Sequence, residues 1–125
     1  MRWWVVLFTL LYIWGCASTP VQSRFEVGGL IIRNETSGHL DSVEIRVNQG
    51  VAKCGFIPSQ GFCSTTFPRR TYNGLPATIT WTSAGNSWVR ENVIFKALDD
   101  GRQEEVANVE ILILPGGLVS HSVVR

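Results

Sequence analysis

The sequence predicts an all-β protein, and two observations carry this prediction. Apolar and polar residues alternate with period two in residues 43–47 and again in residues 75–81. Such alternation is typical of strands that turn one face to a core and the other to water. Turn sequences rich in glycine, asparagine and aspartate separate the extended segments, whereas no segment keeps a helical periodicity.

About seven extended segments are expected between residue 25 and the C-terminus, joined by short turns. They cover residues 25–32, 43–47, 64–67, 75–82, 88–98, 106–114 and 118–124. Residues 54–63 contain a proline and two glycines, so this stretch is expected to form a loop more than a strand. The strand count favours a small two-layer antiparallel β-sandwich, immunoglobulin-like or transthyretin-like in shape, with a small closed β-barrel as the alternative.

Two tryptophans lie within this predicted domain. Trp81 is in the middle of a strongly alternating strand, so we expect it to be the central core residue. Trp88 follows a turn, and its side chain is compatible with two roles, packing against the core or recognition at the surface.

The first sixteen residues carry a different pattern. Arg2 precedes an apolar run, residues 3–14, that only Thr9 and Tyr12 interrupt. A run of this length is too short to span a bilayer comfortably, but it fits the apolar region of an export signal, which needs about 7–15 residues. The sequence therefore predicts export, with an uncleaved membrane anchor as the alternative.

The end of this run, Ile13-Trp14-Gly15-Cys16, resembles the lipobox of bacterial lipoproteins. Ile13, Gly15 and Cys16 match that pattern, whereas Trp14 is larger than the residue usual at its position. The resemblance implies that residues 1–15 are a signal peptide that is removed. It also implies that the thiol of Cys16 is acylated and holds the protein on a membrane.

The residues after Cys16 bear on localisation. Residues 16–24 are small and polar, so they are expected to form a flexible tether to a single domain, residues 25–125. In lipoproteins of diderm bacteria an aspartate after the acylated cysteine favours retention at the inner membrane. Ala17 takes that position here, so for a diderm source the resemblance implies an outer-membrane lipoprotein that faces the periplasm.

The charge balance limits the partners of the mature chain. Removal of residues 1–15 takes away Arg2 and leaves ten basic residues against ten acidic ones. A nucleic-acid-binding protein would need a basic face that contacts several phosphates. No nucleic-acid partner is therefore expected.

Cysteine usage supports an oxidising compartment. If Cys16 carries lipid, Cys54 and Cys63 remain as an even pair, and exported proteins keep such pairs as disulfides. The bond would close a loop of about ten residues and contribute roughly 2.7 kcal/mol by the chain-entropy relation. The alternatives are two reduced thiols or half of a metal site.

Catalytic patterns are not apparent in the sequence. His39 and His121 have no partner at a metal-binding spacing, and the paired carboxylates near residue 100 flank a turn. General acid catalysis would need one of these carboxylates to be buried with a perturbed pKa. The sequence therefore predicts a protein that is not an enzyme and that has no cofactor or metal.

One loop is the candidate partner-binding site. Arg69, Arg70 and Tyr72 follow the cysteine pair closely, and arginine and tyrosine are enriched among binding anchors. A loop stiffened by a nearby disulfide would lose less entropy on docking. The alternative is a solvated linker whose arginines protect a sheet edge from aggregation.

These observations favour a non-catalytic, lipid-anchored lipoprotein that acts as an interaction or accessory module in a cell-envelope or secretion assembly. The expected partners are the membrane, through the lipid, and an envelope protein. A periplasmic inhibitor or ligand-binding protein is the first alternative, and a hydrolase is the second.

Overall fold

The computed structural model describes residues 25–96 and 106–124, which form two packed β-sheets. The strands are β1 (Phe25–Asn34), β2 (Leu40–Val47), β3 (Gly50–Ile57), β4 (Phe62–Thr65), β5 (Thr71–Tyr72), β6 (Ala77–Ser83), β7 (Asn86–Val93), β8 (Val106–Leu114) and β9 (Leu118–Val124). A short 3-10 turn, Pro115–Gly117, joins β8 to β9.

The strands divide into a five-stranded sheet and a four-stranded sheet. The first, called the β1 sheet, has the order β4-β1-β8-β9, and β5 pairs with β1 beside β4. The second, called the β2 sheet, has the order β3-β2-β6-β7. The predicted all-β sandwich is confirmed, and within the described residues the sheets do not close into a barrel.

One strand pair departs from the antiparallel prediction. β1 and β8 run parallel, from the pair Glu26–Val106 to the pair Asn34–Ile113. Parallel neighbours need a long connection between them, and here most of the chain lies between the two strands. Because alternation reports burial and not strand direction, the sequence pattern could not reveal this pairing.

The predicted loop at residues 54–63 is shorter in the structure. β3 continues to Ile57 and β4 begins at Phe62, so residues 58–61 alone form the connection. β3 pairs with β2, whereas β4 pairs with β1. The connection therefore crosses from one sheet to the other, and long-range pairing extends both strands into a sequence rich in glycine.

The apolar positions of the alternating strands form the core between the sheets. Ile45 and Val47 of β2 and Ile79 of β6 are fully buried, and Trp81 is 3% exposed. Burial of an aliphatic side chain contributes about 1.5–3 kcal/mol. The prediction that Trp81 is a core residue is confirmed.

Trp88 closes the core beside the turn between β8 and β9. Its ring stacks on that of Trp81, with centroids 6.3 Å apart and planes inclined by 12°. It also lies on Gly117, which is buried and has φ +76°. Trp88 is thus half-buried and packs against the core, which favours the packing interpretation over surface recognition.

Replacement of Gly117 by alanine should destabilise the protein strongly. A Cβ atom there would overlap the indole ring of Trp88, which adds about 1–3 kcal/mol of overpacking to about 1–2 kcal/mol of left-handed backbone strain. Gly116→Ala is the matched control, because Gly116 has a similar φ, +79°, but open space at its Cβ position. Urea unfolding of both variants measures the difference, and equal losses of stability would contradict the proposed contact.

Candidate functional site

The predicted binding loop lies between β4 and β5, and two of its three predicted residues are at the surface. Arg69 and Arg70 are exposed, as the prediction requires. Tyr72 is 1% exposed and belongs to the core, so its side chain is not presented at the surface of this loop. The sequence could not distinguish the two cases because Tyr72 is a single apolar position beside β1, in a strand of two residues.

Tyr72 joins a cluster of four buried aromatic rings. Its ring centroid lies 5.4 to 5.8 Å from those of Phe25, Phe67 and Phe95. Its hydroxyl donates to the carbonyl oxygen of Leu75 and accepts the backbone N–H of Phe95 at 3.0 Å. Burial raises the pKa of this hydroxyl above its ordinary value, and the Phe95 hydrogen bond partly opposes the shift.

The two arginines project from a backbone that is held on both sides. The Val27 N–H donates to the Arg70 carbonyl oxygen at 2.8 Å, which ties the loop to β1. Pro68 packs against Gly50 so closely that a Cβ on Gly50 would lie 2.7 Å from the Pro68 oxygen. Among the described residues, no ion pair includes Arg69 or Arg70. Both guanidinium groups are therefore presented to solvent on an ordered loop.

The predicted disulfide is present and has an architectural role. Cys54 lies on β3 and Cys63 on β4, with Cα atoms 5.9 Å apart. Because β3 and β4 are edge strands of different sheets, the bond links the two layers covalently at one side of the sandwich.

Asn34 supports this linkage and was missed as a site because its sequence context indicates a turn. Among the described residues, Asn34 is a polar residue that is fully buried. Its side-chain nitrogen donates to the carbonyl oxygens of Gly38, Ile57 and Pro58 at 2.8, 3.1 and 3.1 Å. Its side-chain oxygen accepts the N–H and the hydroxyl of Thr36 at 2.9 and 2.6 Å. Thr36 two residues later is the one local signal, since asparagine accepts from such positions in turns.

The backbone of Asn34 completes the connection. Its N–H donates to the Gly61 oxygen, and its own oxygen accepts the Gln60 N–H, both at 2.9 Å. We call Asn34, Cys54, Cys63 and the turn at residues 58–61 the edge clamp. It fixes the β3–β4 crossing by one covalent bond and by the Asn34 side chain, whose nitrogen donates and whose oxygen accepts hydrogen bonds.

A cleft of about 680 Å³ lies at the opposite side of the sandwich, between β7 and β9. Its wall combines cationic and polar groups with aliphatic ones. The lining residues are Arg90, Asn92, Val93, Ile94, Lys96, Leu118, Val119 and His121. Among the described lining residues, Arg90, Lys96 and His121 carry the cationic or basic groups, and no side chain is acidic. No local sequence pattern indicates this cleft, because its walls come from segments more than twenty residues apart.

The two histidines and the cysteines do not gather into one cluster among the described residues. Within residues 25–96 and 106–124, no three histidine, cysteine or acidic side chains converge as metal ligands. His39 lies 3.2 Å from Asp41, but both side chains are at least half exposed. His121 contacts the Phe95 ring edge-on.

The acylation site predicted at Cys16 and the tether lie outside the described residues. In the part of the chain that the structure describes, no helix has the length and apolar character needed to cross a bilayer. Neither a protein-family model nor a curated protein matches this chain.

Tyr72 should make the fold sensitive to alkali. Because its pKa is higher in the folded than in the unfolded chain, its contribution is complete below the unfolded pKa, about 10, and is lost as the pH rises above it. Urea unfolding across the alkaline range should show this loss. Tyr72→Phe should be less stable by about 1 kcal/mol at neutral pH but should lack the tyrosine-dependent decline. Parallel curves for both proteins would contradict this assignment.

Asn34→Asp should destabilise the edge clamp by about 3 kcal/mol at neutral pH. The substitution replaces a donor with a carboxylate oxygen that faces three carbonyl oxygens in a buried position. The deficit should shrink on acidification, because burial favours the protonated acid. Asn48→Asp, in an exposed turn, is the control and should change stability little. Chemical unfolding at neutral and acidic pH measures both, and a pH-independent deficit would contradict this role of the buried Asn34 side chain.

Proposed function

We propose that this protein is a non-catalytic, lipid-anchored lipoprotein of the outer membrane of a diderm bacterium, facing the periplasm. On this proposal it serves as an interaction module of an envelope or secretion assembly. The observation that carries the proposal is the disulfide between Cys54 and Cys63. Disulfides persist in oxidising compartments such as the periplasm, so the bond supports export of the chain.

The cysteine accounting supports the anchor. The chain has three cysteines, and the disulfide uses two of them. The third, Cys16, stands at the end of the apolar run, where the lipobox resemblance assigns an acylated thiol. Acylation there gives every cysteine a defined chemical state and leaves residues 17–24 as the tether.

Recognition of a protein partner is assigned to Arg69 and Arg70. Guanidinium groups form paired hydrogen bonds with carboxylates, so the complementary surface is an acidic patch on the partner. The loop is held by β1 and by Gly50, so docking would order little additional backbone. With Tyr72 in the core, the two arginines are the anchors of this contact.

A ligand-binding role is the second candidate, and the cleft between β7 and β9 favours it. Arg90, Lys96 and His121 combine there with aliphatic side chains. Such a wall suits a small ligand with an anionic group and an apolar part. A periplasmic inhibitor would instead use an exposed loop.

The proposal can be tested on the protein from native membranes. Mass spectrometry should find a mature N-terminus at Cys16 that carries a diacylglyceryl group and fatty acid. An unprocessed Met1 on soluble cytosolic protein would overturn the anchor and the compartment together.

Crosslinking in intact envelopes tests the contact surface. The wild-type protein should give a reproducible protein adduct, and Arg69→Ala/Arg70→Ala should reduce it about tenfold or more, as expected for loss of two binding anchors. Arg46→Ala/Lys53→Ala, two exposed cations of the β2 sheet, is the control and should retain the adduct. An adduct that both double variants keep equally would contradict the role of the arginine loop.

A further inference from the structure

We propose that β9 is a self-association edge, at which a second copy of this chain pairs antiparallel about a two-fold axis through His121. The interface continues the β1 sheet from one copy into the other. This inference goes beyond the proposed function and requires neither the lipid nor the partner.

The remaining sheet edges are protected against strand addition. Proteins protect edges with charges, bulges or very short strands. β3 carries Lys53 and a register shift beside Gly55, whose φ is +68°. β7 carries Arg90 and Glu91, with a register shift before Val93. β4 and β5 have four and two residues.

β9 has none of these protections. Its seven residues, LVSHSVV, include no lysine, arginine, acid, proline or glycine, and none has a positive φ. β8 pairs with it along its whole length, from Asn108–Val124 to Leu114–Leu118. Among the described residues no strand pairs with its other edge. Leu118 and Val124, at its two ends, are 59% and 43% exposed.

The sequence of β9 is self-complementary in the antiparallel direction. With His121 opposite its counterpart in a second copy, each remaining residue faces one of its own chemical kind. The pairs are Leu118 with Val124, Val119 with Val123, and Ser120 with Ser122. Apolar pairs and hydroxyl pairs are both favourable across neighbouring strands. A slip by one residue would place serine against valine, so this register is the preferred one.

The faces of the strand also match. Val123 is buried in the core and His121 contacts Phe95, so Val119, His121 and Val123 share the inner face. Residues directly opposite in antiparallel strands share a face, so the inner faces of both copies lie on the same side. Both copies of the β2 sheet then lie on that side as well, and the β1 sheet continues through the axis.

The charges beside this edge predict how the contact responds to salt. Arg90 and Lys96 line the cleft next to His121 in each copy, so pairing brings like charges closer. Salt screens such repulsion, and it should therefore strengthen the dimer. Arg69 and Arg70 follow the β4 edge of the β1 sheet, away from β9, so the dimer leaves them accessible.

Sedimentation velocity of the full-length chain over a concentration series tests the proposal. The wild-type protein should form a reversible dimer, and dissociation on addition of salt would overturn the proposal. Ser120→Glu/Ser122→Glu and Ser120→Lys/Ser122→Lys should each weaken the dimer by roughly tenfold, because like charges then lie opposite one another. Mixing the two variants should restore a heterodimer, because residue 120 of one copy faces residue 122 of the other.

Ser64→Glu/Ser87→Glu is the matched control, since it places the same two charges on exposed positions of β4 and β7. It should dimerise like the wild type. Hydrogen exchange of the unmodified protein gives an independent measurement, in which the β9 amides should become better protected as the concentration rises. A wild-type monomer at every concentration, a dimer that the β9 charges do not affect, or failure of the mixed variants to pair would each overturn the proposal.

Discussion

The closure of the two sheets at one edge is the constraint on which the rest of the structure depends. Two packed sheets share a core but form no strand-to-strand backbone hydrogen bonds with each other. Apolar burial alone therefore leaves their relative position loosely specified. The edge clamp fixes this relative position, because the Asn34 side chain donates hydrogen bonds to carbonyl groups of the crossing turn and the disulfide joins β3 to β4. A buried polar network of this kind favours one arrangement over near alternatives.

The sandwich is consequently asymmetric. The clamped side holds the β3–β4 crossing, and the arginine loop follows β4 on the same edge of the β1 sheet. The other side is closed by Trp88 against Gly117 and otherwise leaves β9 and the cleft accessible. Two different surfaces are thus available to a small domain, one with paired arginines and one with an unprotected strand edge. The two surfaces lie at opposite edges of the β1 sheet.

Much of the fold could be predicted from the sequence because burial on one face leaves a period-two pattern. The strands around Ile45 and Ile79 and the core position of Trp81 follow from it, and the disulfide follows from the cysteine count. The residues of the candidate site were harder to predict from the sequence. Arg69 and Arg70 are exposed as predicted, whereas Tyr72 is in the core, and Asn34 resembles an ordinary turn residue until its partners are known.

The sequence by itself determined most of the extended segments, the apolar side chains that form the core and the pairing of Cys54 with Cys63, because these properties depend on local composition and spacing. Tertiary structure alone decided that β1 and β8 run parallel, that β3 and β4 belong to different sheets and that Tyr72 is enclosed by three other rings. The reason is physical: strand direction, sheet membership and enclosure are set by contacts between residues far apart in the chain, and no local pattern records them.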